Sequence, residues 1–124
     1  MVTVIETGDP ATLAFAISGR LTRADYQDVL LPPVQGKIER GEPLRMLAVI
    51  DDFRGLEAGG LLQELMAAAK LGSGQRASQA RFAVVSDADW VRRAVRLSGW
   101  LVPGEVRVFA PAERAGAQAW LSTG

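Results

Sequence analysis

Residues 44–55, with the sequence LRMLAVIDDFRG, give the clearest indication of the fold. Residues 44–50 are mostly apolar, which is typical of a strand buried on both faces of a parallel sheet. Two carboxylates, an aromatic residue, an arginine and a glycine follow at once, and an amphipathic pattern begins at Leu61. We therefore predict a central strand, then a loop, then a helix.

The loop after this strand is the first candidate for a site, because open α/β sheets bind ligands and partners beyond the carboxyl ends of their strands. We take Asp51, Asp52, Phe53, Arg54 and Gly55 as a candidate interaction loop. Asp51 and Asp52 could also bind a hard cation or act in acid–base chemistry. Adjacent residues of an extended segment point in opposite directions, however. We favour the simpler role, in which an aspartate hydrogen-bonds to its own backbone.

The residues before the central strand predict a hairpin and a helix. Residues 2–6 and 13–18 have the composition of strands, and the short, turn-rich segment between them favours antiparallel pairing. Thr22, with Asp25 three residues later, predicts a capping box at the start of a helix. Because proline lacks an N–H and clashes with the preceding turn, the prolines at 32–33 predict a kink or a break into two short helices.

The residues after the central strand predict two further strand–helix pairs. Residues 81–86 form an apolar strand, and Asp87 is a suitable N-cap for the next helix. Residues 106–109 alternate as an edge strand does, and Pro111 suits the first turn of a last helix. The apolar face of that helix consists of Ala117, Trp120 and Leu121. The order ββαβαβαβα implies an α/β fold with a five-stranded, mostly parallel sheet and an N-terminal antiparallel hairpin.

The composition excludes several classes of function. The 124 residues predict a single domain over 1–124, and the 48% of hydrophobic residues can build a core. Fourteen basic and fourteen acidic residues cancel, which argues against a nucleic-acid partner. The chain has no cysteine and no histidine, so thiol nucleophiles, Ser-His-Asp arrangements and the commonest metal ligands are absent. We therefore expect no metal, no cofactor and no enzymatic activity.

The first residues and the hydropathy indicate no membrane targeting. Residues 1–6 have no basic segment followed by a long apolar stretch, so we expect no signal peptide. No run of about 20 apolar residues occurs, so we expect no transmembrane segment. These features predict a cytoplasmic protein.

Trp100, Leu101 and Val102 form an apolar cluster in a segment flanked by glycines. Such a cluster either folds back over the core or meets a partner or a bilayer interface, and the sequence leaves both alternatives open. Trp90 could extend this patch, or it could pack beneath its helix. We take these four residues as a candidate apolar interface or ligand entrance.

Arg92, Arg93 and Arg96 form a candidate anion patch for a phosphate or a lipid headgroup. We favour a simpler interpretation, because basic side chains near the end of a helix interact favourably with its macrodipole and with water.

Five motifs are spread over the chain. They are LAFAISGRL at 13–21, TRADY at 22–26, DFRG at 52–55, AVVSD at 83–87 with Trp90, and AWL at 119–121. Together they resemble the small bacterial SpoIIAA-like family of STAS-related proteins, named after the sulfate-transporter and anti-sigma-factor-antagonist domain. The resemblance implies the same α/β order, a stand-alone domain without an established activity, and similarity to CRAL-TRIO lipid-binding domains.

The sequence departs from anti-sigma-factor antagonists at one position. In those proteins a serine at the start of the helix after the central strand is phosphorylated by a partner kinase. This chain has no serine or threonine between Asp51 and Leu62. The resemblance therefore implies a related domain that lacks this phosphorylation switch.

Three functions follow from these observations. The first is a non-catalytic interaction or regulatory module, expected to be a homodimer, that uses residues 51–60 and the next helix. The second is a binder of a lipid or another apolar small molecule, with Trp100 near the entrance. The third is an enzyme that uses Asp51 or Asp52. The missing histidine and cysteine favour the first.

Overall fold

The strands of the protein form one mixed sheet. A computed structural model describes residues 1–9, 11–56, 81–98 and 105–122. Its strands are β1 (Val2–Val4), β2 (Leu13–Leu21), β3 (Arg45–Leu56), β4 (Arg81–Val85) and β5 (Glu105–Phe109). They lie side by side in chain order, with β1 antiparallel to β2 and the other neighbours parallel. The predicted five-stranded, mostly parallel sheet with an N-terminal hairpin is confirmed.

Helical segments connect β2 with β3 and β4 with β5, and others follow β5. They are α1 (Arg23–Asp25), a π-helical turn (Tyr26–Leu30), α2 (Leu31–Glu39), α3 (Asp89–Ser98), a 3-10 turn (Pro111–Glu113) and α4 (Arg114–Ser122). The helix predicted from Leu61 lies outside the described residues. None of the helices in the described part of the chain combines the length and the apolar character needed to cross a membrane.

The predicted capping box is present at the start of α1. Thr22 Oγ1 accepts a hydrogen bond from the Asp25 N–H at 3.0 Å, and the Asp25 carboxylate accepts one from the Thr22 N–H at 3.1 Å. The first N–H groups of a helix have no partner within the helix, so these bonds stabilise its first turn. The prediction from residue types three positions apart is confirmed.

The proline pair at 32–33 does not break the helix. The chain is helical without interruption from Arg23 to Glu39, and a wider π-helical turn directly precedes α2. In that turn the Leu31 N–H donates to the Tyr26 carbonyl, five residues earlier. A wider turn gives room where a proline removes a donor and crowds the preceding carbonyls. Of the two expected alternatives, a kink or a break into two short helices, the break does not occur.

Alternating residues of the central strands pack on opposite faces of the sheet. On one face, Phe15 is buried together with Leu30 from the N-terminal helical segment. On the other face, Leu47 is fully buried against Ala117 and Leu121 of α4. Because each face has its own helical cover, the central strands are apolar on both faces.

Asp9 connects the first hairpin to the last helix. Its carboxylate accepts hydrogen bonds from the Ala11 N–H at 3.0 Å, the Thr12 hydroxyl at 2.9 Å and the Ser122 hydroxyl at 3.1 Å. These bonds, led by the one from Ala11, hold the pKa of Asp9 below its ordinary value. Partial burial opposes them, and the positive charge of Lys37 assists them.

Acid is therefore expected to remove stability that Asp9 supplies. A carboxylate with a lowered pKa in the folded state stabilises the fold above its unfolded value of 3.8, and the contribution is lost as the pH falls through the folded value. We expect Asp9→Asn to lower the urea midpoint most at neutral pH, with a difference that shrinks below about pH 4. Urea denaturation of both proteins at several pH values measures this difference. A gap of constant size down to about pH 2 would contradict the assignment.

Candidate functional site

The strands β2 and β3 extend beyond β4 at one end of the sheet. The pairing of β3 with β4 ends at Val49 opposite Val85, whereas the pairing of β3 with β2 continues to Leu56 opposite Leu21. This end is the carboxyl end of the parallel strands, where open α/β sheets usually bind ligands. Residues 51–55 belong to β3, so the prediction that they form a loop is wrong.

Two bulges shape this extension. Three consecutive residues of β2, at positions 18–20, lie opposite Asp51, Phe53 and Gly55 of β3. Asp52 and Arg54 are therefore the inserted residues. Asp52 has a φ of 49°, in the left-handed region that aspartate enters more readily than most residues. Bulges of this kind bend a strand, change the direction of its side chains and are common next to functional sites.

The residue types of this segment are those of a loop. Aspartate and glycine are typical of turns because they tolerate a left-handed backbone. Here Asp52, with a φ of 49°, and Gly55, with a φ of 109°, both have a positive φ within a strand. A Cβ atom at Gly55 would meet no atom within 4 Å, so the backbone angle, and not a lack of space, favours glycine. The pairing with β2, which is distant in sequence, keeps this segment extended.

The charged side chains of the extension lie in solvent. Arg54 Nη2 lies 3.4 Å from Asp52 Oδ2, and the two side chains are 70% and 69% exposed. An ion pair this exposed contributes between zero and about 1 kcal/mol to stability. Asp51 is exposed as well. Within the described residues, no group of three or more acidic side chains is arranged to hold a metal ion.

An aromatic contact joins the strand extension to α3. The rings of Phe53 and Trp90 are stacked, with centroids 5.6 Å apart and planes 16° apart. Phe53 is half-buried and packs against the core cluster around Phe15. Trp90, in contrast, is 52% exposed. Phe53 and Trp90 belong to two different candidate surfaces in the sequence analysis, but their rings are in contact in the structure. No local sequence pattern predicts this contact.

In the turn before α3, Ser86 Oγ accepts a hydrogen bond from the Ala88 N–H at 3.2 Å. The first hydrogen bond of the helix runs from the Arg92 N–H to the Ala88 carbonyl at 3.1 Å, so the N-cap position is Ala88, one residue after the predicted Asp87. Arg92 Nη1 lies 3.4 Å from the Ser86 carbonyl oxygen, to which it donates. Arg92, one of the three arginines of the candidate anion patch, is therefore half-buried and makes a structural contact with the turn before its own helix.

The other two arginines of that patch, Arg93 and Arg96, are exposed on α3. This placement agrees with a solvated helix face. Trp100, Leu101 and Val102 lie outside the described residues, and their role as an apolar interface or ligand entrance stays a prediction.

We call the set Asp51, Asp52, Phe53, Arg54 and Trp90 the rim surface. It combines the exposed ring of Trp90, the half-buried ring of Phe53 on which it stacks, and side chains of both charges. Protein interfaces are enriched in such aromatic residues and surround them with polar groups. The rim surface has the composition of a docking surface.

Comparison with known proteins places this geometry in a family. The SpoIIAA-like family model matches residues 12–122. The fold is similar to the crystal structure of an uncharacterized DUF3478-family protein with a SpoIIAA-like fold from Shewanella loihica PV-4, with a TM-score of 0.71 and 24% sequence identity. The alignment covers 98% of this chain and 92% of that one. No curated protein matches the sequence significantly. Because the family model spans nearly the whole sheet and all the described helices, this chain belongs to the SpoIIAA-like family.

Proposed function

We propose that this protein is a non-catalytic interaction module whose rim surface binds a second copy of the chain. The observation that carries the proposal is the exposed Trp90 ring, stacked on Phe53. Tryptophan is the residue type most often found among the few that dominate binding energy. Since the stack already restrains the ring, a partner would pay less conformational entropy on binding it.

The charges beside the aromatic pair support a symmetric partner. Asp52 and Arg54 lie on either side of Phe53 in sequence and are both well exposed. A dimer with twofold symmetry uses the same patch on both subunits, so such a patch must be complementary to itself. In such a dimer Asp52 of each copy lies beside Arg54 of the other, which gives two ion pairs related by the twofold axis.

The chemistry of the rim surface supports a role without catalysis. General acid–base catalysts usually lie in clefts, where burial and neighbouring charges adjust their proton affinity. Asp51 and Asp52 are exposed to solvent instead. With no histidine or cysteine in the chain, the common nucleophile–base pairs are absent. The region between Asp51 and Leu62 also has no hydroxyl side chain for a phosphorylation switch, so we propose binding that is not switched there.

Sedimentation velocity over a wide range of protein concentration tests the proposal. We expect a reversible dimer, and we expect Trp90→Ala to weaken dimerisation by at least about 30-fold, which corresponds to a hot-spot loss of about 2 kcal/mol. Arg93→Ala is the matched control, because it truncates an exposed side chain on the same helix outside the rim surface. Its dimerisation should equal that of the wild type.

A charge exchange tests the symmetric arrangement separately. Asp52→Arg should weaken the dimer, because it places like charges together. Adding Arg54→Asp should restore much of the affinity, because the patch is again complementary to itself. A protein that is monomeric at every concentration would overturn the proposal, as would a dimer that is insensitive to Trp90→Ala.

A further inference from the structure

The hydrogen bonds of the first hairpin show which backbone groups β2 uses. The Ser18 N–H donates to the Met1 carbonyl at 2.9 Å, and the Ile5 N–H donates to the Ala14 carbonyl at 2.8 Å. Opposite residues of an antiparallel pair alternate between those that exchange hydrogen bonds and those that do not. The odd-numbered residues at positions 1–5 therefore bond to β2.

The even-numbered residues of β1 carry hydrogen-bonding groups that β2 does not use. The N–H and C=O groups of Val2 and Val4 point away from β2, toward the outer edge of the sheet. In the described part of the chain, no strand lies beyond β1. The strand contains neither proline nor lysine, with which edge strands are commonly protected. Its outer edge can therefore accept a further strand, as in peptide recognition by β-strand addition.

The side chains along this edge indicate which segment would fit. Val4 is 59% exposed, although Phe15, its partner in β2, is buried. An apolar side chain on the added strand, opposite Val4, would cover it. Glu6 follows two residues later and is exposed. None of the ion pairs found among the described residues involves Glu6.

An open pocket of about 330 Å³ lies beside the end of β1. We call it the hairpin pocket, and its lining includes Val4, Glu6, Asp9, Leu13 and Phe15. The lining contains two acidic residues and no basic one. The Asp9 carboxylate already accepts three hydrogen bonds, so Glu6 is the group that can receive a cation. Lysine and arginine suit such a place, because their methylene groups pack on apolar side chains while the charge stays at the surface.

We propose that the outer edge of β1 binds an extended segment of another protein, which adds to the sheet antiparallel to β1. The segment has apolar residues at alternate positions. A lysine or arginine two residues before the first of them enters the hairpin pocket beside Glu6. The edge strand of a second copy does not meet this requirement, because residues 1–9 contain no lysine or arginine.

This site is independent of the rim surface. The hairpin pocket is formed at the start of β2, whereas the bulged residues of the rim surface lie opposite the last part of β2. A protein that failed to dimerise through the rim surface would still have an open edge at β1.

Titration of the ¹⁵N-labelled protein with the peptide acetyl-Lys-Thr-Val-Thr-Val-amide, followed by amide chemical shifts, tests the proposal. We expect saturable shifts centred on Val4 and Glu6. At saturation the Val4 N–H should exchange with solvent at least about fivefold more slowly, because it gains a hydrogen-bond acceptor.

Two altered peptides define the contact. Methylation of both valine nitrogens removes the N–H donors that face β1 but keeps the side chains. Glutamate in place of lysine reverses the charge beside Glu6. Each altered peptide should bind at least about tenfold more weakly than the parent peptide.

Two variants of the protein locate the basic side chain. Glu6→Gln should weaken binding of the parent peptide about threefold, as expected for the loss of an exposed ion pair. Glu105→Gln is the matched control, because it removes an exposed carboxylate from β5, at the other edge of the sheet. Equal effects of the two variants, undiminished binding of the methylated peptide, or shifts that do not saturate would overturn the proposal. Shifts centred on the rim surface would do so too.

Discussion

Leu47→Ala is expected to lower the free energy of unfolding by about 2–5 kcal/mol, the range for buried leucines. Leu47 is fully buried near the start of β3, on the face that α4 covers. Its neighbours include Ala14, Ala83 and Ala117, whose short side chains cannot extend into the space that the leucine leaves. We therefore expect a value in the upper part of the range.

Urea denaturation with a matched control measures this effect. Val49 lies on the same face of β3 as Leu47, two residues further along, and is only partly buried. Val49→Ala removes apolar surface from the same strand but opens a smaller cavity, so its cost should be clearly lower. Equal losses in the two variants would mean that Leu47 is not at the centre of the core.

Arg81→Ala is expected to destabilise the protein by about 2 kcal/mol, through a charged hydrogen bond and a ring contact. Arg81 Nη1 donates to the Trp120 carbonyl at 2.9 Å, and the guanidinium lies 5.3 Å from the centre of the Trp120 ring. The last carbonyls of a helix lack partners within it and carry partial negative charge. Arg81 therefore caps α4 from the sheet. Arg45 lies opposite Arg81 on β3, and relief of the repulsion between these two positive charges offsets part of the loss.

Arg107 provides the control for this prediction. Its guanidinium lies 4.8 Å from the centre of the same ring, but its side chain is 57% exposed and its ion pair with Glu105 spans 3.9 Å. Arg107→Ala should therefore cost no more than about 1 kcal/mol. Thermal and urea unfolding of both variants gives the comparison. A larger loss for Arg107 would contradict the capping role of Arg81.

The correct predictions from sequence depend on short-range patterns. Thr22 and Asp25 are three residues apart, and a capping box needs only that separation and an adjacent helix. Apolar periodicities likewise indicate the strands and the last helix, and Leu121 is buried as its position in the pattern predicts. Such patterns act over one or two turns, so the local sequence is sufficient to read them.

One wrong prediction concerns a segment that depends on a distant partner, and another concerns a turn that changes its geometry. Asp51 to Gly55 have turn-forming residue types, yet β2 pairs with them and keeps them extended. At the proline pair, the local rule predicts a kink or a break. The preceding turn widens instead and the helix continues. Local preferences are weak compared with the hydrogen bonds and packing that tertiary structure supplies.

The α/β class, the hairpin, the capping box and the lack of histidine and cysteine chemistry all follow from the order and type of residues along the chain. The contact of Phe53 with Trp90 and the cap that Arg81 provides for α4 do not. Each of these joins residues from separate elements, and they meet only because parallel pairing in chain order brings the ends of those elements together. The rim surface is of this second kind, because a binding surface requires side chains to converge in space and sequence periodicity reports only the face on which each one lies.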